Sequence, residues 1–300
     1  MIIGHEAIRD RLRRATEKQC VAQTYIFVGP ESVGKLAVAV ELAGELLGSA
    51  SISDCAVIRP ERIEEKGKVK ELPISVKMIR EATHTLGLSG RVGTGNVLIV
   101  DDAHKMSEGA QNAFLKTLEE PFPGATIILV TYNEGGMLST ILSRCERVSF
   151  ALVTGDVLAE SFSDVPETIR QLGRPGLCAS FRENPEMFAD SLRRLDMLRG
   201  FALLSLSDRV MLADACTNDI PGAERLLAWW MSALNREMLT VPHTYERRAL
   251  LERLHAVAAT LRDLRRFPGS ARLILEQLFF FRKSVSPLLM QRMTKSQFFG

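Results

Sequence analysis

An α/β fold with a parallel sheet, followed by a wholly helical second half, is what this 300-residue sequence predicts. Three observations carry the prediction. Short β-rich runs alternate with amphipathic stretches as far as about Phe150, the pattern of parallel βαβ units in a doubly wound domain. Several of those runs are apolar without a break, as strands covered on both faces are. Beyond Phe150 the β-like runs stop and helical periodicity takes over, so the composition itself marks a boundary.

In chain order, amphipathic spacing predicts a helix near residues 6–18, and Tyr-Ile-Phe-Val a strand over 25–28. A helix follows at 35–47, a strand at 56–58, a helix at 75–87, the strand Val-Leu-Ile-Val at 97–100, a helix at 107–119, a strand at 126–130, a short helix at 137–143 and a strand at 147–150. The charged stretch 60–71 (PERIEEKGKVKE) reads as a solvated, mobile hairpin or loop. Residues 151–185 hold two or three short helical runs, started by Pro166 and broken at Gly173-Arg174-Pro175-Gly176, which suits a small lid-sized unit. Further on, Phe188, Leu192, Leu195 and Leu198 share one helical face and Leu250, Leu251, Leu254, Val257 and Leu261 another, with breaks at 218–222, 241–244 and 267–269. The expected organisation is therefore an α/β domain over 1–150, a helical lid over 151–185 and a helical bundle over 186–300. Trp229-Trp230 and Phe279-Phe280-Phe281 are expected as core or subunit-interface anchors.

A composition of 46% hydrophobic and 25% charged residues, with a formal charge of +2, belongs to an ordinary globular chain and excludes extended disorder. No apolar run approaches the roughly 18 residues that span a bilayer, and the N-terminus places its charges after its short apolar start, unlike a signal peptide. A cytoplasmic protein without membrane contact is the expectation. Cys20, Cys55, Cys145, Cys178 and Cys216 are scattered and odd in number, which argues against a disulfide framework and favours reduced thiols. The charge is unevenly spread: 20 basic and 23 acidic residues precede residue 181, against 18 and 13 after it. Arg247-Arg248, Arg262 with Arg265-Arg266, and Arg282-Lys283 read as solvated helix faces, or as contacts for phosphates or acidic partners.

The most specific local signal is Gly29-Pro30-Glu31-Ser32-Val33-Gly34-Lys35, between the strand ending at Val28 and the helix beginning at Lys35. Gly29 and Gly34 let the backbone curl so that its N–H groups point inward, the helix N-terminus favours an anion, and Lys35 adds a point charge. The alternative is an incidental glycine-rich turn. The next position departs from the pattern, because a working loop carries Ser or Thr there to hold Mg²⁺ and this chain has Leu36. A second signal is Asp101-Asp102 at the end of strand 97–100, where P-loop enzymes keep a metal-associated Asp and often a water-activating Glu. Asp102 is one methylene short of Glu, and a shift of about 1 Å at a catalytic group can cost about 100-fold in rate. Without the loop upstream, the two acids would be a loop start or a helix cap.

Gln111-Asn112-Ala113-Phe114-Leu115-Lys116-Thr117-Leu118-Glu119-Glu120-Pro121, followed by Ser143-Arg144-Cys145, resembles the bacterial DNA polymerase III clamp-loader branch of the AAA+ ATPases. Ile2-Ile3-Gly4-His5-Glu6, the loop and Asp101-Asp102-Ala103-His104 occur in the family's order, so the resemblance covers residues 1 to about 150. The departures at Leu36 and Asp102 are most like those of delta-prime type subunits. The resemblance implies a P-loop AAA+ domain, a lid and an oligomerising helical collar. It implies that Ile3 and Gly4 lie near adenine, that Lys35 approaches the phosphates, and that Asp101 is a residual metal acid. Thr131 and Asn133 fall at the position of the sensor that reads the γ-phosphate, and Arg174 at that of a lid sensor arginine. Arg144 matches the arginine finger given to a neighbouring subunit; read alone, it would be a solvated charge after a helix. His104 reads as a helix-start residue rather than a base.

The function so implied is that of a subunit that helps load the sliding clamp onto primed DNA. It would be ATPase-deficient, holding ATP or ADP with weak or no Mg²⁺. Its partners would be gamma/tau motor and delta subunits, the sliding clamp, and primed-template DNA through the complex. Family members with zinc carry four cysteines between the loop helix and the next strand; residues 49–72 offer only Cys55, so no zinc is expected. The alternatives are an active motor ATPase of gamma/tau type or a related DNA-remodelling ATPase, and a nucleotide-binding scaffold outside replication.

Overall fold

In a computed structural model, residues 2–48, 55–65, 68–88, 96–241 and 245–281 are described. The chain forms two compact units, Met1–Ala179 and Ser180–Gly300.

The first unit opens with α1 (Glu6–Glu17), β1 (Thr24–Val28), α2 (Lys35–Leu47) and β2 (Cys55–Ile58). The charged stretch then folds as an antiparallel hairpin of β3 (Glu61–Glu65) and β4 (Lys68–Leu72), a two-stranded sheet of its own. Next come α3 (Val76–Leu88), β5 (Asn96–Val100), α4 (Glu108–Glu119), β6 (Ala125–Thr131), α5 (Ser139–Leu142) and β7 (Glu146–Ser149). Three short helices complete the unit: α6 (Gly155–Ser161), α7 (Glu167–Arg170) and α8 (Pro175–Glu183), the last running across the division. Where bounds were expected, they differ from the sequence reading by only a residue or so, except at α5, which begins two residues later.

The main sheet has the order β2-β5-β6-β1-β7, and every neighbouring pair is parallel. Period-two alternation explains why β1, β5 and β6 are apolar at nearly every position. Ile26 and Val28 join Leu98, Val100, Ile127 and Leu129 in one core with Ile79, Ala110, Phe114 and Leu118 of α3 and α4. The intervening Tyr25 and Phe27 join Val97, Ile99, Ile128 and Val130 in the opposite core with Leu12, Val38, Leu42 and Leu47 of α1 and α2. A strand buried on both faces has no place for a polar residue, hence the unbroken apolar runs. Because all five strands point the same way, the segments after β1, β5, β6 and β7 emerge at one edge, the carboxyl edge where open α/β sheets carry their ligands.

The second unit is helical throughout its described residues: α9 (Ala189–Arg199), α10 (Leu206–Asn218), α11 (Ile220–Thr240), α12 (Tyr245–Arg266) and α13 (Ala271–Glu276), with a final π-type turn at Gln277–Phe281. Two of its helices, α10 and α11, start at side-chain caps. Ser205 and Asp208 form a reciprocal capping box on α10, and the Asp219 carboxylate accepts from Gly222 N at the head of α11. Of the two roles left open for the aromatics, the interior holds for Trp229, Trp230 and Phe279, all at most 5% exposed. Trp229 stacks on Phe188, and Phe201 packs against both Trp230 and Phe279 at 5.5 and 6.0 Å. Among the basic runs, Arg265 pairs with Glu224 at 3.1 Å and Arg248 with Glu252 at 3.4 Å, while Arg282-Lys283 lies outside the described residues. No helix among the described residues is long and apolar enough to cross a membrane.

Phe114 has no exposed surface in the core between sheet and α4. Phe114→Ala is expected to destabilise the first unit by about 3–5 kcal/mol in urea unfolding, the usual cost of emptying an aromatic site. Leu239→Ala, at a position 85% exposed, should change stability by less than about 0.5 kcal/mol.

Candidate phosphate-binding site

The loop between β1 and α2 is held by its carbonyl groups. Lys35 Nζ donates to Gly29 O at 2.8 Å and to Pro30 O at 2.5 Å. Arg174 Nη1 donates to Glu31 O at 2.8 Å, and Gly176 N to Ser32 O at 2.9 Å. His5 Nε2 lies 2.9 Å from Val33 O, and since a carbonyl only accepts, Nε2 carries the hydrogen. The sixth carbonyl, Gly34 O, accepts from Val38 N as the first bond of α2. With its acceptors occupied from outside, the loop is left to offer N–H groups to an anion at the head of a 13-residue helix. Gly29 is required because a Cβ there would stand 2.4 Å from Phe150 O, and Gly34 because its φ is +106°. Ser32 also takes a left-handed conformation, at φ +61°.

Lys35 is 6% exposed, and burial pushes its pKa down to about 8, against the pull of Asp102 and Glu31. Arg174 is 5% exposed; burial lowers its pKa as well, and its Nε has no acceptor among the described residues. The structure therefore brings Gly29, Gly34, Lys35 and Arg174 together. Ile3 is half-buried and Gly4 lies against the Val153 side chain, next to His5 on the same loop. Leu36 packs, half-buried, against the core of α1 and α2.

Asp101 and Asp102 leave β5 at the same edge. Burial, then the neighbouring Asp102, raises the Asp101 pKa, while Arg59, 3.9 Å from Oδ2, opposes the rise. Asp102 adopts φ +52°, and its Oδ2 lies 2.9 Å from Lys105 Nζ. The same ammonium reaches Glu71 Oε2 at 2.7 Å. Burial works against the charge on Lys105, but the hydrogen bonds to Glu71 and Asp102 outweigh it and hold the pKa above the usual lysine range. Lys105, Glu71, Arg59, His5 and Gly176 were not singled out from the sequence. Lys105 had a signal three residues beyond Asp102, and His5 and Gly176 stand inside the runs Ile2-Ile3-Gly4-His5-Glu6 and Gly173-Arg174-Pro175-Gly176.

Thr131 ends β6, which lies between β1 and β5. It is fully buried; its hydroxyl accepts from Asn133 N at 3.0 Å and shares a hydrogen bond with His104 Nδ1 at 3.1 Å. His104 sits in the 3-10 turn Ala103–Lys105, not at the start of α4, and its ring meets Tyr132 edge-on at 4.2 Å. It joins the acid-pair turn to the end of β6. Asn133 is half-buried.

Arg144 lies elsewhere. Its guanidinium donates to Thr140 O and to Glu119 Oε1, both at 2.8 Å. In the parallel pairing of β7 with β1, Glu146 is opposite Tyr25 and Ser149 opposite Val28. Arg144 thus precedes the amino end of β7, whereas the phosphate loop follows the carboxyl end of β1. The interval is on the order of 15 Å of strand, beyond one arginine side chain. Cys145 beside it is a packed thiol donating to Ile141 O, its pKa pushed by burial up to about 12. Cys55, where the zinc reading bears, opens β2 and is likewise raised by burial. Residues 49–54 lie outside the described residues.

The family described as DNA polymerase III, delta subunit, matches residues 4–154. The chain is 26% identical over 228 residues to DNA polymerase III subunit tau of Bacillus subtilis, covering 71% of this chain and 40% of that protein. It is 29% identical over 168 residues to the delta' subunit of Pseudomonas aeruginosa, covering 50% and 51%, and 29% identical over 148 residues to that of B. subtilis, covering 46% and 45%. The chain thus spans about half or less of the length of these curated relatives.

The lowered pKa of Lys35 has a signed consequence. Unfolded, the lysine holds its proton up to about pH 10.5; folded, it releases it near 8, so within that window the unfolded state binds more protons and stability rises with pH. Relative to Lys35→Met, the wild-type chain should gain up to about 3 kcal/mol between pH 8 and 10.5, measured by urea unfolding of both proteins at each pH. Parallel pH profiles would show that Lys35 is not buried as a cation.

Proposed function

Since this chain belongs to the family of DNA polymerase III, delta subunit, in the bacterial clamp-loader branch of the AAA+ proteins, we propose that it acts as a clamp-loader subunit of delta-prime type. In this reading it stands in a ring with gamma/tau motor subunits and a delta subunit, and serves loading of the sliding clamp at primed-template DNA. The helices of 151–185 act as the lid and those of 186–300 as the collar that joins the subunits. One observation carries the reading: Arg144 stands at the sheet edge opposite its own phosphate loop, half-exposed and out of reach of that loop, which supports a role at another chain's site. A guanidinium supplied in trans neutralises charge developing on a transferred phosphoryl group and contributes about 10³ to 10⁵ in rate.

The chain's own loop suits phosphate, since Arg174 Nε is a buried donor with no acceptor among the described residues and Lys35 borders the same loop. It would hold nucleotide between these two cations, with Ile3 and Gly4 toward the base. Turnover is another matter, because Leu36 carries no oxygen and the Asp102 carboxylate is already paired with Lys105. A motor-type ATPase is the second reading. It is favoured by the match to tau, which extends over 71% of the chain where the delta' matches reach 50% and 46%.

Arg144→Ala, reconstituted with motor and clamp-opening subunits, is expected to lower DNA-stimulated ATPase at least 100-fold while the complex still assembles on gel filtration. Unchanged ATPase removes the role given to Arg144. The isolated wild-type chain should show no Mg²⁺-dependent ATP hydrolysis above background, and steady turnover by it would select the motor reading.

A further inference from the structure

Mg²⁺ accompanies nucleotide in P-loop proteins, held by the hydroxyl after the loop lysine and by the acid after the second strand. The residues here do not fit that ion. Leu36 has no oxygen, and a protein cation already faces each acid: Arg59 at 3.9 Å from Asp101 and Lys105 at 2.9 Å from Asp102. Lys105 is the stronger of the two. Its side chain is 26% exposed against 60% for Arg59, and it makes two short charge-assisted bonds where Arg59 makes one long contact.

Lys105 is also fixed from behind. Ile74 N donates to Lys105 O at 3.0 Å, Ser107 N donates to Ile74 O at 3.0 Å, and Ile74 bridges to Met106 as an isolated parallel pair. The strand leaving the β3-β4 hairpin is thereby stitched to the turn that bears Lys105, and Glu71, near the end of β4, meets the ammonium at 2.7 Å. The carboxylates of Glu71 and Asp102 converge on one point, and the lysine nitrogen fills it.

We propose that Lys105, assisted by Arg59 and tethered by Glu71, is a built-in counter-ion that takes the place of the divalent cation at the acid pair, so that the chain holds nucleotide without a metal. The nucleotide half of this statement rests on the binding role assigned to the phosphate loop above. The counter-ion half does not. With its charge supplied internally, the acid pair offers no vacancy to Mg²⁺, and Asp102 is withdrawn from water activation. Replacing the ammonium by an uncharged group would remove the stronger of the two cations at Asp101 and Asp102, and an acid pair so uncovered attracts a hard divalent cation.

Mn²⁺ binding to the full chain, followed by electron paramagnetic resonance without nucleotide, tests the counter-ion directly. Lys105→Met should bind Mn²⁺ at least tenfold more tightly than wild type, and Lys105→Arg, which keeps the charge, should bind as weakly as wild type. Lys105→Gln serves as a second variant where Lys105→Met does not fold, as judged by circular dichroism. Wild type binding Mn²⁺ as tightly as the uncharged variants, or neither uncharged variant binding it, overturns the proposal. In a second arm, wild type should bind a fluorescent ATP analogue equally in EDTA and in Mg²⁺, and loss of binding in EDTA also overturns it. Absence of analogue binding in both conditions would refute nucleotide binding by the phosphate loop, and with it the metal-free retention, while the Mn²⁺ arm still decides the counter-ion.

Discussion

The geometry of the site depends on who satisfies the carbonyl groups of residues 29–33. A buried peptide group must pair both its ends, so a loop whose carbonyls are bound from outside is obliged to face the other way with its N–H groups. Here the donors come from Lys35 of α2, Arg174 and Gly176 at the start of α8, and His5 before α1. Arg174 lies 143 positions from the Glu31 carbonyl that it satisfies, and each donor belongs to an element packed for its own hydrophobic reasons. The sheet order matters for the same cause. With β7 beside β1, Phe150 N donates to Val28 O at 2.7 Å, and the Phe150 carbonyl is brought against Gly29 so closely that no side chain fits. The cradle is thus a consequence of tertiary packing, and loosening any one donor would free a carbonyl to turn inward toward the anion.

This explains which parts were legible in the sequence. Strands β1, β5 and β6 announce themselves because strands covered on both faces are apolar at nearly every position, whereas β7 (Glu-Arg-Val-Ser) buries only Val148; α2 is legible because the loop that precedes it has a fixed spacing. Helix starts at Ser107, Ser205 and Asp219 follow local capping chemistry. The hairpin of β3 and β4 was foreseen only as one of two options, since its alternating charges carry no apolar face from which to read a register. Side-chain pairings such as Lys105 with Glu71, 34 residues apart, leave no periodic trace, because any lysine and any glutamate would look the same. Thr131 and His104 are similar: each was noticed, but their hydrogen bond arises from β6 lying next to β5, which the sequence does not state.

The two ends of the sheet differ in the strength of their ionic contacts, and that difference bears on what can change. At the carboxyl edge Lys35 and Arg174 are buried to within 6% of complete enclosure, so removing a partner there leaves a charge without solvent. At the amino edge the Arg144 guanidinium pairs with a Glu119 that is 52% exposed, while Arg144 itself is 36% exposed. A surface pair of that kind contributes about 0–1 kcal/mol.

In the proposed role, Arg144 would serve a neighbour through this contrast. A guanidinium held by a weak surface pair is positioned without being committed. Glu119 and Thr140 O hold it just beyond the end of α5, where in the proposed role a phosphate group would take the place of Glu119. Charge-assisted bonds to phosphate oxygens are stronger than an exposed carboxylate pair, so in the proposed role the exchange would run toward the nucleotide. The cradle at the other edge has less freedom: its carbonyls are capped, and Lys105 is tied to both Asp102 and Glu71. In the proposed role, one edge of the sheet would stay as it is and the other would be given away, the division required of a chain that lends its arginine to a neighbouring subunit rather than turning over nucleotide itself.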